Sequence, residues 1–209
     1  MSQFTPGSHV KQSSLLVACI LLAAAVAGAA EPASVPERTG LVTMKGKPLV
    51  LLGDSPGAGA AAPEFRVVDS AFKPVKLSDF KGKIVLISAV PSLDTGVCSL
   101  QTRRFNEEAA KLPTNVVVLT ISMDLPFAQK RFCAAEKIAR LQVLSDSVWR
   151  EFGTKYGLVI KDMGILSRCV FVVGADGRVL YRDLVPEIAT EPKYDAALQA
   201  ARDAAAGTR

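Results

Sequence analysis

The chain has almost no histidine. His9 is the only one in 209 residues, and it lies in an N-terminal segment that we expect to be removed. Without histidine, the rest of the chain cannot use a Ser-His-Asp or Cys-His catalytic arrangement. It also cannot build the histidine-containing zinc and iron sites that many enzymes use. Any nucleophile must therefore be activated by backbone amides, a hydroxyl group or a guanidinium group.

Cysteine is also scarce, and the cysteines stand apart. Beyond residue 30 there are three, Cys98, Cys133 and Cys169, and none belongs to a C-x-x-C pair. This spacing excludes a zinc ribbon and a thioredoxin-type dithiol. We expect no bound cofactor or metal. The net charge of +5 comes from scattered basic residues without interleaved aromatic residues, so the sequence predicts no nucleic-acid partner.

The N-terminal segment is typical of an export signal. Lys11 is the only formally charged residue among the first thirty. Residues 15–30 are a continuous run of apolar and small side chains, and Ala27-Gly28-Ala29 near its end is an A-x-A-like cleavage pattern. Two alternatives stay open. The run could remain as an uncleaved membrane anchor, or residues 16–19 could form a lipoprotein box.

Past this segment, strand and helix patterns alternate along the chain. Lys45-Gly46 between two apolar segments predicts a β-hairpin of residues 41–44 and 47–52. Residues 53–63 are too rich in Gly, Pro and Ala for regular structure. Further strands are predicted at residues 65–68, 75–77, 83–89, 115–122, 142–144, 168–173 and 178–183. Helices are predicted after Cys98 and at residues 126–139, 147–156 and 193–206.

Apolar strands separated by helices require crossover connections. We therefore expect an α/β fold with a central mixed β-sheet covered by helices on both faces. The domain organisation predicted from the sequence is an export signal at residues 1–30, a polar tether at residues 31–40 and one folded domain at residues 41–209. A domain of this length can bury a substantial core.

Cys98 lies where the strand of residues 83–89 gives way to a helix. If Thr95 is the N-cap, Cys98 is the third helical residue, where free N–H groups and the positive end of the helix dipole favour negative charge. Such a position favours the thiolate, which is the reactive form of cysteine. Phe105, Ala109 and Leu112 continue a buried stripe from Cys98. We therefore expect a reactive thiolate that is reached only through the preceding loop.

Arg168 stands at the start of an apolar strand. A guanidinium group is costly to bury there without a partner, and beside Cys98 it would stabilise the thiolate. Because side chains alternate along a strand, Cys169 should point to the opposite face. We expect Arg168 to belong to the Cys98 site and Cys169 to be a core residue without a catalytic role.

Cys133 lies in the helix predicted at residues 126–139. Asp124 is the expected N-cap of this helix, with Pro126 in its first turn. Cys133 falls about 100° from the expected core stripe, so we expect it to be partly exposed. That stripe contains Leu125, Ala128, Phe132, Ala135 and Ala139.

The segment Pro91-Ser92-Leu93-Asp94-Thr95-Gly96-Val97-Cys98 resembles the peroxiredoxin active-site loop, Pro-x-x-x-Thr-x-x-Cys, and is similar to the thiol peroxidase branch in particular. Residues 124–133 resemble the helix that carries the second redox cysteine of this branch. Residues 166–168 resemble the strand that carries its arginine. Further matches at residues 151–157 and 187–198 extend the resemblance over roughly residues 41–200.

The resemblance implies a thioredoxin-like fold and a thiol-dependent peroxidase that reduces hydrogen peroxide and organic hydroperoxides. Cys98 would attack the peroxide, Thr95 and Arg168 would orient and polarise it, and Pro91 would shield the thiolate from water. The resemblance further implies that Cys133 is the resolving cysteine, which forms an intrachain disulfide with Cys98. A thioredoxin-like dithiol would reduce that disulfide, and the protein would form a homodimer.

Together with the export signal, the resemblance places the protein in the bacterial periplasm, attached to a membrane only if the signal is not cleaved. Two other functions stay open. The protein could be a one-cysteine peroxidase in which Cys133 takes no part. It could also be a non-catalytic, exported binding or chaperone module on the same scaffold.

Overall fold

A computed structural model of the chain describes residues 35–207. The predicted export signal at residues 1–30 lies outside the described residues. Within residues 35–207, no helix is long and apolar enough to cross a membrane.

The strands are β1 (Glu37–Met44), β2 (Lys47–Leu52), β3 (Arg66–Val68), β4 (Pro74–Lys76), β5 (Ile84–Ala89), β6 (Val116–Ser122), β7 (Gln142–Ser145), β8 (Val159–Ile160), β9 (Cys169–Val173) and β10 (Val179–Leu184). The helices are α1 (Gly96–Ala109), α2 (Pro126–Ala135), α3 (Glu151–Lys155) and α4 (Tyr194–Ala205), with a 3₁₀ turn at Leu77–Phe80.

The main sheet has seven strands in the order β10-β9-β5-β6-β7-β3-β4. Its centre is parallel, since β6 pairs in parallel with both β5 and β7. Its flanks are antiparallel, since β9 pairs antiparallel with β5, and β3 with β7. All six residues of β5 are buried, as expected for a strand covered on both faces. The predicted α/β fold with a central mixed sheet is confirmed.

Successive residues of β9 face two different cores. Val170 and Val172 pack in the cluster that contains Phe105 of α1 and the buried face of α4. The other residues of the strand pack against α3 and the segment around Phe65 in a second cluster, whose β9 members are Cys169, Phe171 and Val173. This alternation puts Arg168, one residue before β9, on the α1 side and leaves Cys169 on the other.

The predicted N-terminal hairpin is confirmed, and it is longer than expected. Lys45 and Gly46 have positive φ angles of 51° and 77°, as a type I′ turn requires. β8, which the sequence did not predict, pairs with β2 as a third strand. The tether was predicted to reach residue 40, but β1 already begins at Glu37. The register of β1 shifts between Arg38 and Val42, a bulge that hides the strand pattern.

Two helices are shorter than predicted. Helix α2 ends at Ala135 rather than residue 139, because Lys137 takes a left-handed conformation with φ of 54°. Helix α3 spans only Glu151–Lys155, because Arg150 has a φ of 56° and separates it from residues 147–149. Residues other than glycine rarely adopt this left-handed conformation, and a residue that does so interrupts a right-handed helix.

We predict that replacing Gly157 by alanine destabilises the fold strongly. Its φ is +61°, and a Cβ there would lie 2.7 Å from the carbonyl oxygen of Asp54 and 2.5 Å from Nη2 of Arg38. The backbone of Asp54 cannot move aside as a flexible side chain would. We expect Gly157→Ala to lower the free energy of unfolding by roughly 2–4 kcal/mol, measured by urea denaturation.

Gly46→Ala is the matched control. Gly46 also has a positive φ, 77°, but a Cβ added there would meet no atom within 4 Å. This variant should therefore lose only the backbone preference, about 1 kcal/mol. An equal loss of stability in both variants would show that the close approach of Gly157 and Asp54 is unimportant.

Candidate active site

Cys98 is the third residue of α1, as predicted. Helix α1 begins at Gly96, and Thr95 is its N-cap with extended backbone angles. The Thr95 carbonyl accepts the first helical hydrogen bond, from the N–H of Ser99. The Cys98 side chain is completely buried. It therefore lies at the positive end of the helix dipole but out of contact with bulk water.

The Thr95 hydroxyl does not cap the helix, contrary to the usual role of a threonine at this position. Its Oγ1 donates to the carbonyl oxygen of Ser92 at 3.0 Å, and it makes no bond to a helical N–H. The Thr95 side chain therefore accepts no hydrogen bond from the N–H groups in the first turn of α1. Because its proton is engaged by Ser92, the Thr95 oxygen can still accept a hydrogen bond from a ligand.

Arg168 brings a positive charge to the sulfur of Cys98. Only 1% of Arg168 is exposed, and its Nη2 lies 3.3 Å from Cys98 Sγ. Its Nε donates to the carbonyl oxygen of Ile188 at 2.9 Å, and its Nη1 donates to Oε1 of Gln101. None of these partners is a carboxylate. Since a buried charge needs a counter-charge, Cys98 as thiolate is the partner that can supply it.

Gln101 is a site residue that the sequence analysis missed. It is completely buried one turn after Cys98, and its Nε2 donates to Oγ of Ser88 at 2.7 Å. Its amide oxygen, Oε1, accepts a hydrogen bond from Nη1 of Arg168. The network therefore ties α1 to β5 and to the residue before β9. The i+3 spacing from Cys98 on an inward-facing stripe is the signal that could have revealed it.

The loop before Cys98 is fixed by a carboxylate. Asp124 was expected to cap α2, but the cap residue is Leu125. The Asp124 carboxylate instead accepts hydrogen bonds from the N–H of Leu93 and from the hydroxyls of Ser92 and Ser122, each at 2.8 Å. Leu93 in turn packs against Cys98. The side chain thus stabilises the loop over the sulfur rather than the helix that follows it.

A cavity of about 470 Å³ adjoins Arg168. One wall is the loop and first turn around Cys98, with Pro91, Thr95, Gly96 and Val97. The other walls come from the hairpin tip, from the segment after β8 and from the segment after β10; they contain Met44, Lys45, Met163, Ile165, Ile188 and Ala189. The fold thus brings the predicted residues Pro91, Thr95 and Arg168 to one cavity, with Cys98 in contact with Arg168.

Cys133 lies beside a different cavity, of about 310 Å³. It is half-buried, so the predicted partial exposure is confirmed, and burial raises the pKa of its thiol. The rest of the lining comes from α2, from β7 and from the turn after β3; it contains Asp69, Ser70, Gln129, Lys130, Gln142, Val143 and Leu144. No residue lines both cavities. Within residues 35–207 all three thiols are free, so Cys133 and Cys98 are not bonded here.

The expected core stripe of α2 was only partly right: Phe132 is half-buried and packs against the cluster of Val90, Leu93 and Cys98, but other members of the stripe are exposed. The buried residues of this helix are Pro126 and Gln129, whereas Leu125 is 60% exposed. Gln129 is buried because its Nε2 donates to Oγ of Ser122 at 3.0 Å and to the carbonyl oxygen of Leu144 at 2.8 Å. Ala135 and Ala139 are also exposed. A polar side chain that is hydrogen-bonded inside the core is invisible to a search for apolar periodicity.

Cys169 is a core residue, as predicted. It is completely buried, and burial raises the pKa of its thiol to about 12. A thiol with so high a pKa stays protonated at neutral pH and is a poor nucleophile. Its position on the opposite face from Arg168 separates it from the Cys98 site.

Comparisons with known proteins identify the family of the chain. The family model described as Redoxin matches residues 57–198. A thiol peroxidase of Listeria monocytogenes is 51% identical over 163 residues, 78% of this chain and 98% of that protein. A thiol peroxidase of Bacillus subtilis is 46% identical over 161 residues, 77% of this chain and 96% of that protein.

Solved structures show the same fold. A peroxiredoxin-like protein from Aquifex aeolicus matches with a TM-score of 0.74 and 40% identity over 81% of this chain and 98% of that chain. A thiol peroxidase from Chromobacterium violaceum, 23% identical, matches with a TM-score of 0.68 over 74% of this chain and 91% of that chain. The family model, the curated relatives and the thioredoxin-like fold agree, and the chain belongs to the Redoxin family, with thiol peroxidases among its homologues.

Proposed function

We propose that this thiol-dependent peroxidase uses Cys98 as its attacking thiolate. One observation carries the proposal: the buried guanidinium group of Arg168 lies 3.3 Å from Cys98 Sγ and has no carboxylate among its hydrogen-bond partners. The helix position of Cys98 favours the same ionised state. Burial raises the pKa of the Cys133 thiol, and no charged group opposes it. Burial also raises the pKa of the Cys169 thiol to about 12, although the guanidinium group of Arg182 lies beside it.

The first step is a displacement at the peroxide O–O bond. The Cys98 thiolate forms a bond to the terminal O–H oxygen of the peroxide while the O–O bond breaks, so the sulfur is oxidised to a sulfenic acid. The other oxygen leaves with both electrons of the broken bond, takes a proton from the solvent, and departs as an alcohol or as water. Arg168 N–H groups would stabilise the charge that develops on that oxygen, and Thr95 Oγ1 would accept a hydrogen bond from the peroxide.

The cavity walls favour organic hydroperoxides as well as hydrogen peroxide. Apart from Lys45, the residues of the walls opposite Thr95 are apolar: Met44, Met163, Ile165, Ile188 and Ala189. Burying an apolar substituent against such side chains is favourable by about 25 cal/mol per Å². Pro91 lies at the same wall as Thr95 and would keep water from the sulfur.

The second step would employ Cys133 as the resolving cysteine. Its thiol displaces water from the Cys98 sulfenic acid and gives an intrachain disulfide between the two cysteines. An external dithiol would then restore both thiols and leave as a disulfide. A thioredoxin-like protein is the proposed reductant, because residues 31–209 contain no C-x-x-C pair of their own.

Thiol counting distinguishes the two-cysteine mechanism from its alternatives. We expect one equivalent of hydrogen peroxide to remove two DTNB-reactive thiols per denatured chain. In Cys133→Ser the loss should fall to one, because the sulfenic acid then has no resolving partner. Cys169→Ser is the matched control and should keep the loss of two.

A loss of one thiol in the wild-type protein would instead support a one-cysteine peroxidase. No loss at all would support a non-catalytic module on the same scaffold.

Formation of the disulfide requires local opening. Cys98 is completely buried in a cluster with Val90 and Leu93, and the side chain of Phe132 on α2 packs against that cluster. Cys133, the next residue, borders a cavity that Cys98 does not line. A disulfide needs Cα atoms within about 7 Å and Cβ atoms that point towards each other. We propose that the first turn of α1, helix α2, or both, unwind to bring the sulfurs together. Segments that open in this way have low local stability.

Amide hydrogen exchange of the reduced protein tests this opening. We expect faster exchange in residues 96–100 and 128–135 than in the central strands at residues 84–89 and 116–122, because the helices must open while the sheet stays intact. Equal protection in all four segments would contradict it.

Export and oligomeric state are further proposals. Export to the periplasm with cleavage of residues 1–30 is supported by the N-terminal sequence, and a homodimer by the family resemblance. N-terminal sequencing of the exported protein and its molar mass in solution test the two proposals.

A further inference from the structure

Glu187 binds the tip of the N-terminal hairpin. Its Oε2 accepts hydrogen bonds from Oγ1 of Thr43 at 2.9 Å and from the N–H of Gly46 at 3.0 Å. Its Oε1 accepts from the N–H of Lys45 at 3.0 Å and from the N–H of Ala189 at 3.1 Å. One carboxylate thus satisfies four donors, three of them on a hairpin more than 140 residues away in sequence.

Backbone hydrogen bonds complete the attachment. We call residues 186–189 the strap. The N–H of Thr43 donates to the carbonyl oxygen of Pro186 at 2.7 Å, and the N–H of Ile188 donates to the carbonyl oxygen of Thr43 at 2.9 Å. The strap therefore lies alongside β1 as a short parallel bridge. The Glu187 carboxylate holds the turn at the end of β1 against it.

The strap also holds Arg168. The carbonyl oxygen of Ile188 accepts from Arg168 Nε at 2.9 Å, and the N–H of Val185, just before the strap, donates to the carbonyl oxygen of Arg168 at 3.0 Å. Ile188 itself is buried against Val42 and Leu51 of the hairpin. A shift of the strap relative to the hairpin would therefore move an acceptor of the guanidinium group that contacts Cys98.

Both parts joined by Glu187 line the cavity of about 470 Å³ beside Arg168, which we call the peroxide cavity. Met44 and Lys45 line it from the hairpin, and Ile188 and Ala189 line it from the strap. The separation of these two walls sets the width of the cavity at its apolar side. Glu187 itself does not line the cavity, so its influence on a substrate must be indirect.

We infer that Glu187 is a positioning residue of the peroxidase reaction: it fixes the hairpin tip against the strap and so sets both the width of the peroxide cavity and the direction of the Arg168 guanidinium group. The inference rests on the proposed role of Cys98. The hydrogen bonds from Gly46 and Ala189 lower the pKa of Glu187 to about 2, so the carboxylate stays ionised at any pH at which the enzyme would work.

The test replaces the carboxylate by an amide of the same size. Glu187→Gln leaves one acceptor oxygen and turns an NH₂ group towards donors. With dithiothreitol as reductant and cumene hydroperoxide as substrate, we expect KM to rise roughly five- to tenfold while kcat changes less than about twofold, as the loss of two hydrogen bonds at a cavity wall would give. Thr43→Val removes a single donor and should shift KM in the same direction by a smaller factor.

A second readout follows the Cys98 thiolate without turnover. The pH midpoint of Cys98 alkylation by iodoacetamide, read by peptide mass, should move to higher pH in Arg168→Met, because the guanidinium group no longer favours the anion. Glu187→Gln should move the midpoint in the same direction by a smaller amount. In the Arg168→Met background, Glu187→Gln should add no further shift, because it acts through Arg168.

Glu37→Gln is the matched control. This variant also removes one negative charge, at the start of β1, where the Glu37 carboxylate pairs with Lys161 at 2.6 Å on the surface. It should leave KM and the alkylation midpoint unchanged. The inference is overturned if Glu187→Gln changes neither readout, or if its alkylation shift persists without Arg168. No loss of wild-type thiols after one equivalent of hydrogen peroxide would refute the proposed function instead, and the alkylation comparison would still decide the role of Glu187.

Discussion

The buried positive charge of Arg168 is the constraint on which the site depends. A guanidinium group that is 1% exposed must find counter-charge and acceptors inside the protein. Gln101 and the carbonyl oxygen of Ile188 supply neutral acceptors, and Cys98 is the partner that can carry negative charge.

The fold places the three cysteines of residues 35–207 in three different environments. Cys98 has a helix N-terminus and a guanidinium group beside it. Cys133 is half-buried on α2 and has no such partner, so burial raises its pKa. Cys169 is adjacent to Arg168 in sequence but faces the other core, where burial raises the pKa of its thiol to about 12. These environments follow from the position of Cys98 in the first turn of α1 and from the alternation of side chains at the start of β9.

Local patterns in the sequence predicted the parts of the site that local structure determines. The apolar run before Pro91 predicted β5, and Lys45-Gly46 predicted the hairpin turn. Thr95 predicted the start of α1, with Cys98 as its third residue. The alternation at the start of β9 correctly separated Arg168 from Cys169. Each of these depends on residues that are neighbours in the chain.

Other features depend on contacts between distant residues, and local patterns could not predict them. Asp124 binds Leu93, 31 residues away, instead of capping α2. Gln129, a polar residue outside the predicted apolar stripe of α2, is buried because it hydrogen-bonds to Ser122 and Leu144. Gln101 accepts a hydrogen bond from Arg168, 67 residues away in sequence. Nothing in the local sequence around Glu187 indicates a structural role, because its hydrogen-bond donors Lys45 and Gly46 lie more than 140 residues away. Buried polar side chains acquire their roles from such partners, which apolar periodicity does not reveal.

Trapping the oxidised sulfur tests most directly whether Cys98 is the atom that reacts with peroxide. Cys133→Ser is mixed with one equivalent of cumene hydroperoxide in the presence of dimedone, which captures sulfenic acids, and the peptides are weighed. The expected result is one adduct per chain, on the peptide that contains Cys98, and none on the peptide that contains Cys169. An adduct on Cys169 alone, or consumption of peroxide with no adduct on Cys98, would contradict the assignment.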